Sequence, residues 1–418
     1  MDFAPSAEVE ELKLRVQNFF DQHILPRNED WRREVFDCNN PAPAFLSELR
    51  VMAKAEGLWN LALPQLADDE PGTRLSNLEF APIAEILGRL PWASNVFNCH
   101  APNVPNMEIL QLFATAEQKE KYLHPSLEGD ITSTFAMTEP AVASSDATNI
   151  ATRIDRDGDH YVINGRKWFA TNAANESCAF AIVVGVTNSE APRGRQHSII
   201  LVPTDTPGFE VVRVLPVFGH KDIVTPHSEV LLTDVRVPVS NLLGGEGEGF
   251  LIGQSRLGPA RVHHCMRAIG QCEVLLRLMI ERARNRVAFG NPLQSYSNVT
   301  DWIAESRLEI EQARLLVQKT AWMIDTVGNK AARKEISLIK VGVARAYENI
   351  ANRAIQVFGA LAVTDDGPFA GALGQARSFR LYDGPDEVHL RTIFRLEEAA
   401  SRGDKALSPI YLNGPGAR

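Results

Sequence analysis

The sequence is short of several residue types, and each shortage excludes something. Among 418 residues there are 5 cysteines, at Cys38, Cys99, Cys178, Cys265 and Cys272, and none forms a Cys-x-x-Cys pair. Cys265 and Cys272 on one helix would be separated by a rise of about 10 Å, too far for a disulfide. A disulfide scaffold is excluded, no metal site is expected, and free thiols in a reducing cytoplasm are expected. No apolar run reaches the ~20 residues of a membrane helix. Basic residues are outnumbered, 43 Lys+Arg against 52 Asp+Glu for a net charge of −9, and no basic arm is visible, which argues against nucleic acid as a partner. Met1-Asp2-Phe3-Ala4-Pro5-Ser6 lacks the basic and apolar regions of a secretory signal. Pro415-Gly416-Ala417-Arg418 is not a peroxisomal address. The chain has 44% hydrophobic and 23% charged residues, ordinary for a folded globular protein and incompatible with disorder or a coiled coil.

At about 150 residues per domain, this length predicts two or three domains. Three regimes are visible. Residues 1–130 read as an N-terminal helical domain. Val9, Leu12, Leu14, Val16, Phe19 and Phe20 fall mostly on one helical face. Ser76 to Leu90 reads as another helix, with Pro82 as a possible kink. Thr115 is positioned to cap a short helix running to Leu123. Residues 131–245 carry short β-branched runs, with Asn164-Gly165 read as a hairpin turn. No long helix interrupts them, so an antiparallel β domain is expected. Residues 246–418 turn helical again. Ile310, Ala313, Val317, Ala321 and Ile324 form one apolar stripe; Ile336, Ile339, Val343, Ala346, Ile350, Ala354 and Val357 form another, the pattern of bundle helices. The expected class is α+β in the order helical, β, helical.

Some candidate motifs fail on chemistry. Gly244-Gly245-Glu246-Gly247-Glu248-Gly249 lacks the Lys-Ser/Thr of a phosphate loop, and its glutamates repel phosphate; it reads as a hinge. His263-His264 would point about 100° apart on a helix and make a poor metal pair.

Four other segments carry chemistry. The first is Phe135-Ala136-Met137-Thr138-Glu139-Pro140, followed by Ala141-Val142-Ala143-Ser144-Ser145-Asp146. The second is Gly165-Arg166-Lys167-Trp168-Phe169-Ala170-Thr171-Asn172. The third, Arg286-Val287-Ala288-Phe289-Gly290, closes a predicted long helix. There Gly290 suits a C-cap and the basic residues suit the dipole. The fourth pairs Gln356-Val357-Phe358-Gly359-Ala360 with Tyr382-Asp383-Gly384-Pro385-Asp386-Glu387-Val388-His389. By itself, Asp383 suits an N-cap for a helix starting near Pro385.

In this order, over essentially the whole chain, the four segments resemble the flavin-dependent acyl-CoA dehydrogenases. Asp383 stands where many members carry a glutamate, Ala360 where they carry a second glycine, and Pro385 where they carry threonine. These departures, and the string Leu257-Gly258-Pro259-Ala260-Arg261-Val262-His263-His264, resemble the branch that contains human family members ten and eleven. The resemblance implies an N-terminal helical domain, a middle β domain and a C-terminal four-helix bundle. It implies an oxidoreductase of fatty acid β-oxidation that uses FAD. It implies contacts to that cofactor from Phe135, Met137, Thr138, Ser144, Trp168, Phe169, Thr171, Arg286, Phe289, Gln356, Gly359, Pro385 and Glu387. Arg286 and Gln356 would serve the cofactor of a partner subunit, so at least a homodimer, or a homotetramer, is expected. Ser145, Arg261 and Gly384 are the implied substrate contacts.

Asp383 is the implied catalytic base. It would take the α-proton of an acyl-CoA thioester, with its pKa raised by burial, while the β-hydride passes to flavin N5. The branch resemblance further suggests medium- or long-chain or 4-hydroxyacyl-CoA substrates. Phosphorylated 4-hydroxy forms are included, with Arg261, Arg377 and Arg380 as phosphate partners; no kinase domain is visible. An electron-transfer flavoprotein is the expected acceptor. A flavin oxidase or monooxygenase of the same fold, or a non-catalytic relative, is the alternative.

Overall fold

The computed structural model describes residues 3–402; the expectations for the extreme termini fall outside that range. The N-terminal region contains helices α1 (Ala7–Phe19), α2 (Asn28–Trp31), α3 (Ala44–Ala55), α4 (Asn77–Gly88), α5 (Asn103–Phe113), α6 (Ala116–Gln118) and α7 (His124–Glu128). Local chemistry starts them as read. Ser76 and Glu79 form a reciprocal capping box at α4, and Thr115 and Gln118 form another at α6, each satisfying orphan N–H groups. In α1, Val9, Val16 and Phe19 are buried, but Leu14 faces outward.

The middle region contains β1 (Thr132–Ala136), β2 (Arg153–Asp157), β3 (His160–Thr171), β4 (Cys178–Val186), β5 (His197–Pro203), β6 (Phe209–Val214) and β7 (His227–Pro238). They form one seven-stranded sheet in the order β1-β4-β2-β3-β7-β6, with β5 paired to β4. Pairing is largely antiparallel, but β1 runs parallel to β4, and β2 meets β4 in parallel. Asn164-Gly165 is not a turn. Both residues lie inside β3 at a register shift against β7. A Cβ at Gly165 would meet Thr152 Oγ1 at 2.3 Å, so the glycine serves close packing. The β2–β3 hairpin turns at Gly158, φ 62°.

The C-terminal region contains α8 (Gly249–Asn285), a two-residue hairpin β8 (Val287–Ala288) and β9 (Asn291–Pro292), then α9 (Ser297–Ala331), α10 (Arg333–Phe358), α11 (Phe369–Phe379) and α12 (Asp386–Ser401). Both predicted stripes, on α9 and α10, are buried. Gly290 is at the hairpin turn rather than a helix cap, because α8 ends at Asn285 with Arg286 already extended. The glycine-rich segment before α8 is pinned rather than hinged: Leu243 N–H donates to Ile199 O and Gly247 N–H to Ser198 Oγ.

One apolar core runs through both helical regions and a second fills the sheet. The helical regions meet where α4 crosses α8. A Cβ at Gly88 would lie 2.1 Å from Arg267 O, and one at Gly270 would lie 2.0 Å from Glu85 O. Only glycines permit that approach, and it fixes the stretch of α8 carrying Arg256, Arg261, His264 and Arg267. No helix among the described residues is long and apolar enough to cross a membrane.

Candidate active site

The first wall is built by β1, its following loop and β3. Lys167 is fully buried in β3 and donates to Glu139 Oε1 (2.7 Å), Met137 O (3.0 Å) and Val184 O (2.7 Å). Glu139 also accepts from Ala151 N–H (2.9 Å), Thr152 N–H (2.8 Å) and Thr152 Oγ1 (2.6 Å). Burial works against its charge, yet Lys167 and these donors hold the carboxyl below its usual range. Burial pushes Lys167 down to about 8. The pair clamps the Met137–Pro140 loop to the sheet. Ser144 Oγ accepts from Glu139 N–H (2.9 Å), and Trp168 N–H donates to Thr138 O (2.9 Å).

Beyond Lys167 the register against β7 slips. Such a bulge re-aims side chains. Phe169 takes φ 50° and exposes 46% of its surface, its ring 5.2 Å from that of Trp168. Trp168 Nε1 is buried without a partner. Thr171 Oγ1 lies 2.8 Å from His227 Nδ1. A flat apolar ring beside an unsatisfied buried donor suits a planar heteroaromatic ligand such as a flavin.

The second wall is the loop between α11 and α12. Asp383 (φ 55°) and Gly384 (φ 99°) are both left-handed. A Cβ at Gly384 would meet His389 Nε2 at 2.8 Å. Asp383 does not cap α12; Pro385 occupies the N-cap. Instead the Asp383 carbonyl accepts from Arg261 Nε (2.8 Å) and lies 3.1 Å from His389 Nε2. Lys340, fully buried on α10, donates to Phe379 O and approaches Gly384 O at 3.5 Å. The loop's backbone is thereby gripped from three helices.

Asp383 Oδ2 is buried without a hydrogen bond, 3.5 Å from His264 Nε2. Burial alone would raise this carboxyl, as expected from sequence, but His264, Arg261, Arg256 and Lys340 together hold it below the usual carboxylate range. His264 itself is pushed down to about 3 by burial and Arg267. Near neutral pH it is therefore uncharged. Arg256 links the two walls. Its guanidinium is 4.2 Å over the Phe135 ring, and its Nε donates to Asn106 Oδ1 (2.9 Å). Glu108 nearby is raised to about 8 by burial, against the pull of Arg256.

The remaining sequence candidates lie mostly at the surface. Arg286, Gln356, Gly359, Glu387 and Ser145 are at the surface, and Pro385 is half-buried. Phe289, at the tip of the β8–β9 hairpin with φ 49°, is 97% exposed. Arg380 is committed to Asp386 and Glu348, and Arg377 lies 3.9 Å from Glu348. That leaves Arg261, Arg256 and Lys340, rather than these two, as the cations acting on Asp383. The sequence reading missed Glu139, Lys167, Arg256, Lys340, His389 and His264. The spacing Arg261-x-x-His264-x-x-Arg267 was the available signal, since residues three apart on a helix are neighbours. His263, by contrast, packs edge-on against Phe80.

The chain matches the descriptions acyl-CoA dehydrogenase N-terminal domain over residues 6–130, middle domain over 134–235 and C-terminal domain over 247–396. It is 50% identical over 401 residues to a Mycobacterium tuberculosis protein named a probable acyl-CoA dehydrogenase, FadE2, covering 95% of this chain and 97% of that one. It is 47% identical over 402 residues to human acyl-CoA dehydrogenase family member 11, covering 94% of this chain but 51% of the relative. It thus spans about half the length of the family-member-11 proteins it matches. A solved structure from Mycobacterium abscessus, described as an acyl-CoA dehydrogenase, superposes with a TM-score of 0.91 at 44% identity, over 95% of this chain and 99% of that one. With three consecutive domain matches and close relatives along its length, the chain belongs to the acyl-CoA dehydrogenase family.

Proposed function

We propose that the protein oxidises an acyl-CoA thioester between its α and β carbons, with Asp383 as the base. Family membership supports flavin-dependent acyl-CoA dehydrogenation in general. The single observation that carries the finer assignment is the state of Asp383. It is a buried carboxylate with a free oxygen, on a left-handed backbone held by Arg261, His389 and Lys340. A non-glycine residue held in that region costs about 1–3 kcal/mol and persists where the surroundings enforce it. Phe169 and Phe289, two other candidates, share this feature.

In this reading the Asp383 carboxylate takes the α-proton. Its low pKa keeps it ionised before the substrate arrives, and a dry site makes proton transfer from a weak carbon acid effective. A backbone N–H at the base, that of Asp383, polarises the thioester carbonyl, with Gly384 beside it as a substrate contact. FAD, when bound, supplies the hydride acceptor at N5. Met137, Thr138, Trp168, Phe169 and Thr171 would hold its ring, with Phe135 and Ser144 supporting their loop. Arg286, Phe289, Gln356, Gly359, Pro385 and Glu387 would hold its tail, with Arg286 and Gln356 reaching across a homodimer or homotetramer. The exposed hairpin carrying Phe289 supports that arrangement.

Ser145 would contact the CoA part. Arg261 serves the base through its carbonyl. An electron-transfer flavoprotein would take the electrons. The acyl chain is medium or long, with 4-hydroxyacyl forms included. The free cysteines support a cytoplasmic, reducing setting.

The test is an anaerobic visible spectrum titrated with short-, medium- and long-chain acyl-CoAs and their 4-hydroxy forms. Asp383→Asn is expected to keep the flavin band and slow its bleaching by about 10²–10⁴-fold. Near-normal bleaching in that variant would remove Asp383 as the base. Bleaching by nitroalkanes but by no acyl-CoA would move the protein to the oxidase class.

A further inference from the structure

His264 lies on α8 between two arginines. Its Nδ1 is 3.1 Å from Arg267 NH2. A guanidinium only donates, so Nδ1 must accept, and the neutral ring carries its proton on Nε2. That nitrogen is the one facing Asp383 Oδ2, at 3.5 Å. Arg267 is in turn fixed by donating to Cys99 O (3.0 Å), and Tyr382 packs edge-on against the imidazole, ring centroids 5.1 Å apart. The carbonyl of Asp383 is held by Arg261 and His389; among the described residues, His264 is the ion-pair partner within 4 Å of its carboxylate.

We propose that His264 is a positioning residue for Asp383: Arg267 fixes the ring as the Nε2–H tautomer, and that N–H holds carboxylate Oδ2 so that Oδ1 is presented to the α-proton. The inference rests on the reading of Asp383 as the base. It answers a difficulty that comes with an aspartate at this position. Aspartate is one methylene shorter than glutamate, so its reach is set by carboxylate rotation, and a fixed donor on one oxygen sets that rotation. The 3.5 Å separation is a contact that shortens to a hydrogen bond when substrate closes the site, as catalytic contacts do in free enzymes. His264 keeps its proton throughout; the proton that moves goes from the substrate α-carbon to Asp383. The charged or titratable groups facing Asp383 are Arg256, Arg261, His264, Cys265 and Arg267 from α8, Lys340 from α10 and His389 from α12, with Tyr382 beside it.

The experiment compares His264→Gln with His264→Asn in the flavin-loaded protein. Glutamine places an amide N–H near the Nε2 position; asparagine is too short. His264→Asn is expected to slow acyl-CoA-driven bleaching at least tenfold with less than twofold change in acyl-CoA Kd. It should also move the acid limb of the pH profile up by about one unit, because a lost donor to the carboxylate favours its protonated form. His264→Gln is expected to recover most of both. An infrared titration of the carboxylate without substrate should show the same order. Equal behaviour of the two variants, or an unmoved acid limb in His264→Asn, overturns the proposal. Asp383→Asn separates the two layers: if it still bleaches, the base reading fails; if it is inactive while His264→Asn is normal, only the positioning role fails.

Discussion

Lys167→Met removes the cation from a buried pair while keeping a similar length of apolar chain. Three contacts vanish: to Glu139 Oε1 at 2.7 Å, to Met137 O at 3.0 Å and to Val184 O at 2.7 Å. Removing one partner of a buried pair costs about 3–5 kcal/mol, because the other charge stays buried and uncompensated. Glu139 keeps three donors from Ala151 and Thr152, which places the expected loss near the lower end, about 3 kcal/mol. At about 2.1 cal/mol/K of unfolding entropy per residue, 1 kcal/mol corresponds to about 1 °C for a chain of 418 residues, so the melting temperature should fall by about 3–4 °C.

A functional effect should accompany it. Met137 and Thr138 lose their anchor, so the flavin should dissociate more readily, read as growth of free-flavin fluorescence on dilution. The double variant Glu139→Gln/Lys167→Met removes the stranded charge and should recover about 1–2 kcal/mol, the coupling expected for directly contacting residues. Scanning calorimetry of the single and double variants measures this. A Lys167→Met melting temperature within about 1 °C of wild type, the shift that about 1 kcal/mol gives at this length, would refute the clamp. So would strictly additive single and double variants.

Two further outcomes follow from the site. The folded protein holds the Glu108 proton up to about 8, against an ordinary value of 4.5. Its stabilising contribution is full below the unfolded value and is lost as pH rises through about 8, at up to about 1.4 kcal/mol per unit. Glu108→Gln should therefore lose less melting temperature than wild type between about pH 5 and pH 8; parallel curves would contradict the buried neutral acid. Phe289→Ala at the exposed hairpin tip should leave the monomer's thermal stability within about 0.5 kcal/mol while weakening flavin retention and assembly, measured by ultracentrifugation and flavin content. A large drop in monomer stability with assembly intact would show that the ring packs within its own chain.

The period of apolar residues in α9 and α10, the caps of α4 and α6, the β-branched middle region and the four motifs were legible because each is a local property. Spacing along one helix or strand decides which side chains share a face, and capping is settled within four residues. Resemblance then supplied which residues to watch, and it singled out Asp383 where local capping logic alone favoured a helix start. What surrounds those residues was not legible. Asn164-Gly165 has the chemistry of a turn, yet pairing with β7 and contact with Thr152 keep it in the strand. Lys167 and Glu139 lie 28 residues apart and meet only because β3 runs beside the end of β1.

The sequence alone determined the family and the order helical, β, helical, and it singled out Asp383 as the candidate base, because those rest on local periodicity and on strings of adjacent residues. Tertiary structure decided the electrostatics. Close crossing of α4 and α8 at glycine brings Arg267 and His264 to the Asp383 loop, and Lys340 arrives from α10. A carboxyl that burial alone would make a weaker acid is held ionised instead. Desolvation and Coulomb attraction oppose each other there, and the balance depends on distances between segments that no single stretch of sequence contains.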